Sequence, residues 1–211
     1  MSGIHDLLSA DNSALILIDH EPQMVFGVGS MDRQLLINNV EGLAKSAKLF
    51  NVPTILTTVC AKTFSGEILP QIQNVFPDIK PIDRTSMNSW EDANLVKAVK
   101  ATGRKKLIMA ALWTEVCLAF PVISALKDGY EVYIVVDASA GTTEQVHKTA
   151  LKRMKQAGAV QVTWMQVLLE FQRDWARQET YNETLQIIKD HGGAYGIGVN
   201  YVEEFGIGHG G

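Results

Sequence analysis

A thiol at Cys117 and a carboxylate at Asp19 are the residues around which chemistry could be built in this chain. A thiolate is a strong nucleophile, and a carboxylate held beside a thiol can take its proton. Cys117 follows the apolar run Lys106 to Leu112 and the turn Trp113-Thr114-Glu115-Val116, so the thiol falls where the next helix should begin. Helix N-termini carry unpaired N–H groups and partial positive charge, which favour a thiolate. A lone cysteine is also often an inert, small apolar side chain, and sequence logic leaves both readings open. Asp19 ends the run Ala14-Leu15-Ile16-Leu17-Ile18, where an aspartate serves equally as a cap or turn former. Arg84, in Ile82-Asp83-Arg84-Thr85-Ser86, is the candidate cation that would favour both charged forms, with a surface ion pair as its ordinary alternative.

These residues need a scaffold that brings them together. Five apolar runs read as strands: Ala14–Ile18, Pro53–Val59, Leu107–Leu112, Glu131–Val136 and Val160–Trp164. Their continuous rather than alternating hydrophobicity predicts strands covered on both faces, as in parallel sheets. Leu36, Val40, Leu43, Ala47 and Phe50 form one helical stripe between the first two runs. Ser89-Trp90-Glu91-Asp92 resembles a capping box for a helix carrying Leu95, Val96 and Val99. Thr142 with Gln145 reads as the cap of a helix ended by Gly158, and Gly129 ends the helix that starts near Cys117. Strands alternating with helices imply an α/β fold, a three-layer α/β/α domain with a mostly parallel, doubly wound sheet. Ligands of such sheets bind at the carboxyl ends of the strands. Asp19, Thr57, Thr58, Cys60, Cys117 and Asp137 all lie at or just past such ends. Cys60 reads as a small buried residue, and Asp137 as part of a structural turn.

Residues 61 to 84 carry Pro70, Pro77 and Pro81 and read as a long connection with little regular structure. With Trp90 and Trp113, this segment is expected to shape a narrow apolar pocket. Residues 192 to 211 contain eight glycines and read as an irregular tail behind a single domain spanning residues 1 to 191.

Bulk properties narrow the function. The 211 residues suit one domain, and 20% charged with 46% hydrophobic residues is ordinary for a globular protein. A net charge of -4 offers no basic field for nucleic acid or an anionic membrane. Two distant cysteines are no disulfide framework, and the first twelve residues lack a signal-peptide pattern, so a cytoplasmic setting is expected. No apolar run is long enough to span a bilayer. His5, His20, His147, His191 and His209 are scattered without metal spacing, and no GxGxxG opens a helix after the first strand. No cofactor and no metal are therefore expected.

Taken together, Leu15-Ile16-Leu17-Ile18-Asp19 and Ala111-Leu112-Trp113-Thr114-Glu115-Val116-Cys117 resemble the isochorismatase-like cysteine hydrolases, over most of residues 10 to 170. Asp137-Ala138 and Trp164 are further matches. Leu95 to Gly103 and Arg173-Asp174-Trp175 are similar to the YcaC-related branch of that family rather than to its nicotinamidases. The resemblance implies an Asp–Lys–Cys triad. It falls on Asp19 as general base and Cys117 as nucleophile, with Arg84 where the wider family has lysine. It also implies a cis peptide at Leu112–Trp113 and an oxyanion hole made by the backbone N–H groups of Trp113 and Cys117. The family's nicotinamidases hold a metal through an Asp-x-His motif that has no counterpart here. The implied activity is hydrolysis of a small amide or related C–N bond by a homo-oligomer, a tetramer or octamer. A scaffold that only binds a small metabolite is the alternative, since arginine cannot relay protons near neutral pH.

Overall fold

Each of the continuous apolar runs becomes a strand buried from both sides. The computed structural model describes residues 6–206. In chain order the elements are β1 (Ser13–Ile18), α1 (Pro22–Phe26), α2 (Arg33–Leu49), β2 (Thr54–Val59), α3 (Pro70–Gln73), β3 (Ile82–Arg84), α4 (Ala93–Ala101) and β4 (Lys106–Ala111). There follow α5 (Ala119–Lys127), β5 (Glu131–Val135), α6 (Glu144–Gln156), β6 (Val160–Val162), α7 (Trp164–Gln172), α8 (Tyr181–His191) and α9 (Ala194–Phe205). The strands form one parallel sheet in the order β3-β2-β1-β4-β5-β6. All six residues of β1 and all six of β4 are buried.

Helices cover both faces, giving the expected three layers. Leu15 and Leu17 pack beneath α2, α7 and α8, while Ala14, Ile16 and Ile18 face α4, α5 and α6. Fully burying a leucine or isoleucine contributes about 1.5–3 kcal/mol, so this two-faced packing dominates the stability. Strand order reverses between β1 and β4, which leave in opposite directions along the sheet. Ile18 is in register with Thr57 of β2 on one side and with Ala111 of β4 on the other. A crevice opens at such a switch point, beyond the strand ends.

Several local expectations shift. The connection from 61 to 84 holds a π-helical turn (Ala61–Ser65), the short helix α3 and the edge strand β3. Three residues of β3 are too few for a periodicity to show. Val160–Val162 ends before Trp164, which instead opens α7 under a Thr163 cap. Asp92, not Ser89, caps α4, accepting from the N–H groups of Asn94 and Leu95; Ser89–Glu91 is a 3₁₀ turn capped by Asn88. Thr143 rather than Thr142 caps α6, because the Thr142 hydroxyl donates to Glu115 at 2.8 Å.

The glycine-rich C-terminal segment is not irregular: Ala194–Phe205 is helical, and residues 207 to 211 lie outside the described residues. The glycines serve close packing there. A Cβ on Gly196 would lie 2.3 Å from the Ile188 carbonyl oxygen of α8, so only glycine lets the two helices approach. Ile197, Tyr201 and Phe205 form an exposed apolar stripe along α9. Among the described residues no helix is long and apolar enough to cross a membrane.

Candidate functional site

The end of β1 turns sharply. Asp19 keeps its ladder bond, its N–H donating to Thr57 O at 2.9 Å, yet takes a left-handed φ of 57°. A non-glycine residue there costs of order 1–3 kcal/mol and persists only where the surroundings enforce it. The carboxylate is 0% exposed. On one side it receives a single nitrogen of Arg84, Nη2, at 2.8 Å to Oδ1 and 2.7 Å to Oδ2. On the other side it faces the Cys117 thiol, and each group shifts the other's titration.

Arg84 ends β3 and is buried. Its carbonyl accepts from the Cys60 N–H at 2.8 Å, and its Nη1 donates to Ser86 O. One nitrogen thus sits astride both carboxylate oxygens, instead of two nitrogens meeting them in parallel. Nε is buried without a partner among the described residues.

Cys117 lies in a π-helical turn, Thr114–Leu118, that precedes α5, so the thiol sits before the α-helix rather than on its first turn. That turn is anchored on both sides. Leu112 N–H donates to Ile18 O at 3.1 Å, and Thr114 N–H donates to Ala140 O at 2.9 Å. The Thr114 hydroxyl meets His147 Nδ1 at 2.8 Å, and Glu115 accepts from the Thr142 N–H at 3.1 Å. Between these anchors the Leu112–Trp113 peptide is cis. The Trp113 backbone N–H is directed at the Cys117 sulfur. The Trp113 indole donates to Met24 O at 2.8 Å and lies so close to α1's end that a Cβ on Gly27 would be 2.4 Å from the ring.

Electrostatics differ from the helix-dipole expectation. Burial, then the Asp19 charge and its hydrogen bond, push the Cys117 thiol well above its usual range, and Arg84 only partly opposes them. Burial likewise raises Asp19 despite the adjacent guanidinium. The resting thiol is thus neutral, with Asp19 beside it. Such a pair stores no thiolate at rest and can pass a proton only when a substrate draws on the sulfur.

Other strand-end residues have structural duties. The Thr57 hydroxyl donates to Ile82 O at 2.7 Å and that of Thr58 to Asp83 Oδ1 at 3.1 Å; both fasten β3 to β2. Asp137 accepts from the Trp164 N–H at 2.9 Å and holds the start of α7. Cys60 is half-exposed rather than buried, at a left-handed φ of 52°. Trp90 is remote from the thiol: its indole donates to Asp128 at 2.9 Å, beyond the far end of α5. Nine helical residues, about 13 Å, separate the two ends.

Two residues missed by sequence reasoning complete the cluster. His20 is 0% exposed; Nε2 donates to Ala138 O at 3.0 Å, Nδ1 has no partner among the described residues, and burial lowers the ring to about 4, so it is neutral. Glu21 is also 0% exposed, with Oε2 accepting from the Val59 N–H at 3.2 Å. The available signal was three titratable residues in a row, Asp19-His20-Glu21, between a buried strand and a proline. Among the described residues no group of three or more His, Cys, Asp or Glu is placed to hold a metal ion; His5 and His209 lie outside them.

The chain is similar to known proteins over nearly all of this architecture. The isochorismatase domain matches residues 13–166. The probable hydrolase YcaC of Escherichia coli is 41% identical over 169 residues, 80% of this chain and 81% of that protein. The crystal structure of Escherichia coli YcaC, described as an octameric hydrolase of unknown specificity, superposes with a TM-score of 0.91 at 36% identity, covering 97% of this chain and 100% of that one. YcaC from Pseudomonas aeruginosa, solved with hexane-2,5-diol and covalent acrylamide, superposes with a TM-score of 0.90 at 36% identity and the same coverage.

Proposed function

The chain belongs to the isochorismatase family of hydrolases, and on that premise we propose that it cleaves a small amide or related C–N bond through a cysteine thioester. The observation that carries this reading is the buried Asp19 carboxylate, held by Arg84 on one side and facing the Cys117 thiol on the other. Asp19 takes the thiol proton as Cys117 attacks the carbonyl. The Trp113 and Cys117 backbone N–H groups hold the oxyanion. Asp19 then delivers its proton to the leaving amine, and water hydrolyses the thioester, returning Cys117 to the thiol. Arg84 stays a fixed cation, because a guanidinium does not deprotonate near neutral pH.

Covalent acrylamide on the Pseudomonas aeruginosa relative supports a reactive nucleophile in this branch, since acrylamide adds to thiols. The octameric Escherichia coli relative supports a homo-oligomer here. The protein acts on a small molecule in the cytoplasm, without a metal or organic cofactor.

An activity screen over small amides, with Cys117→Ala as the blank, tests the reading. Turnover of at least one amide, together with an acyl adduct on Cys117 by intact-mass spectrometry, is the expected result. Hydrolysis that survives in Cys117→Ala overturns it.

A further inference from the structure

Glu21 is 0% exposed, and its two oxygens have unequal surroundings. Oε2 accepts from the Val59 N–H at 3.2 Å at the end of β2. Oε1 is buried and has no hydrogen-bond partner among the described residues. No ion pair includes Glu21 among the described residues. The charged groups that act on it are Asp19, at the end of β1, and Arg84 and Asp83, both on β3. Two of these three are negative, and the one cation already has Nη2 on both oxygens of Asp19. An ionised Glu21 would therefore leave a charged oxygen desolvated beside a second carboxylate. The neutral acid removes that charge and turns Oε1 into a potential donor.

We propose that Glu21 is a positioning residue of the candidate site, held as the neutral acid so that the Asp19–Arg84–Cys117 cluster carries no net charge, and that its ionisation suppresses the thiol from the alkaline side. Burial raises Glu21 most; the Val59 N–H and the Arg84 charge oppose it, the Asp19 and Asp83 charges add to it, and the net is a rise to about 8. Below that pH the cluster holds one carboxylate and one guanidinium. Above it a second negative charge stands beside Asp19 and opposes any negative charge developing on the sulfur. The proposal rests on Cys117 as the nucleophile, and its test keeps the two ideas separable.

Glu21→Gln keeps the shape and an acceptor for the Val59 N–H while removing the titration. Two readouts are compared with wild type across pH: the melting temperature, and the rate of Cys117 labelling by iodoacetamide followed by mass spectrometry. The variant-to-wild-type labelling ratio should climb about tenfold between about pH 6.5 and about pH 9.5, the effect of ~1 pK unit of coupling. The melting-temperature gap should widen as pH rises from about 4.5 to about 8 and level off above it, because over that window the unfolded chain releases the Glu21 proton that the fold retains. A ratio that stays flat overturns the proposal, whether or not the melting gap widens. A flat gap overturns it as well, because Glu21 would then not titrate on folding. Neither readout needs turnover, so a wrong nucleophile assignment shows separately, as activity surviving in Cys117→Ala. Should Glu21→Gln fail to fold, wild type carries the test through the infrared band of a protonated carboxyl. That band should titrate near pH 8, and its absence overturns the proposal.

Discussion

One nitrogen of Arg84 lies 2.8 Å and 2.7 Å from the two oxygens of Asp19, and both side chains are essentially sealed from solvent. The arginine is therefore a structural member of the site as well as a source of charge. Removing one partner of a buried pair leaves the other uncompensated, typically at about 3–5 kcal/mol. Arg84→Ala should lower the melting temperature as well as turnover, measured together on the same preparation. Arg84→Lys should recover part of both, because the charge returns while the contact to Ser86 O does not. A stable, fully active Arg84→Ala would place the cation outside the chemistry.

Asp19 and Cys117 should be separable by what each loses. Cys117→Ala removes the proposed nucleophile but no buried charge, so turnover should vanish while stability changes by about 1 kcal/mol or less. Asp19→Asn keeps the thiol but removes its proton acceptor. Its turnover should fall by about 10²–10⁴-fold, while Cys117 labelling by iodoacetamide should not slow, because the charge that raises the thiol is gone and Arg84 remains. Labelling of half-exposed Cys60 in the same digest is the internal control and should not change.

His20 gives the acid limb of stability a specific origin. Burial lowers it from 6.5 to about 4, so the folded state resists the proton that the unfolded chain accepts. Its contribution is intact above the unfolded value and is lost as pH falls through the folded one. Across that window the loss is about 3 kcal/mol. Thermal melts from about pH 7 down to about pH 4 should show this fall, and His20→Gln, which retains a donor for Ala138 O, should flatten it. An unchanged acid limb in the variant would remove His20 from the account.

Gly196 should resist substitution. The carbonyl that a Cβ would meet, 2.3 Å away on Ile188, belongs to the backbone and cannot swing aside. Gly196→Ala should detach or tilt α9 and lower the melting temperature. Gly198→Ala, whose Cβ would meet nothing within 4 Å, should be neutral or mildly stabilising.

The layers of this fold were legible because continuous apolar runs mean strands covered twice, and β1, β2, β4 and β5 emerged within a residue or two of expectation. Asp19 and Cys117 were legible as neighbours because both stand at the ends of such runs. Arg84 was legible only as a candidate cation, and the resemblance added the position it would fill; three residues of β3 carry no period. The charge state of the thiol was misjudged, because a helix N-terminus is local and readable while burial against Asp19 is a tertiary fact. Glu21 and His20 escaped for the same reason, since nothing in their spacing shows how completely the ends of β2 and β5 enclose them. In α9 the glycines were mistaken for absent structure. Glycine content does not distinguish a loose chain from a helix that must lie close to its neighbour.

The strand that carries Arg84 has three residues and a sheet neighbour on one side only. Hydrogen-exchange protection in such an element follows local opening, not global unfolding. The partner carboxylate hangs from β1, between two strands at the sheet's centre. The two ends of one ion pair thus belong to regions of very different local stability. Warming would release the guanidinium's end first, so the protein would be inactivated by the fraying of its sheet's edge while its core was still folded.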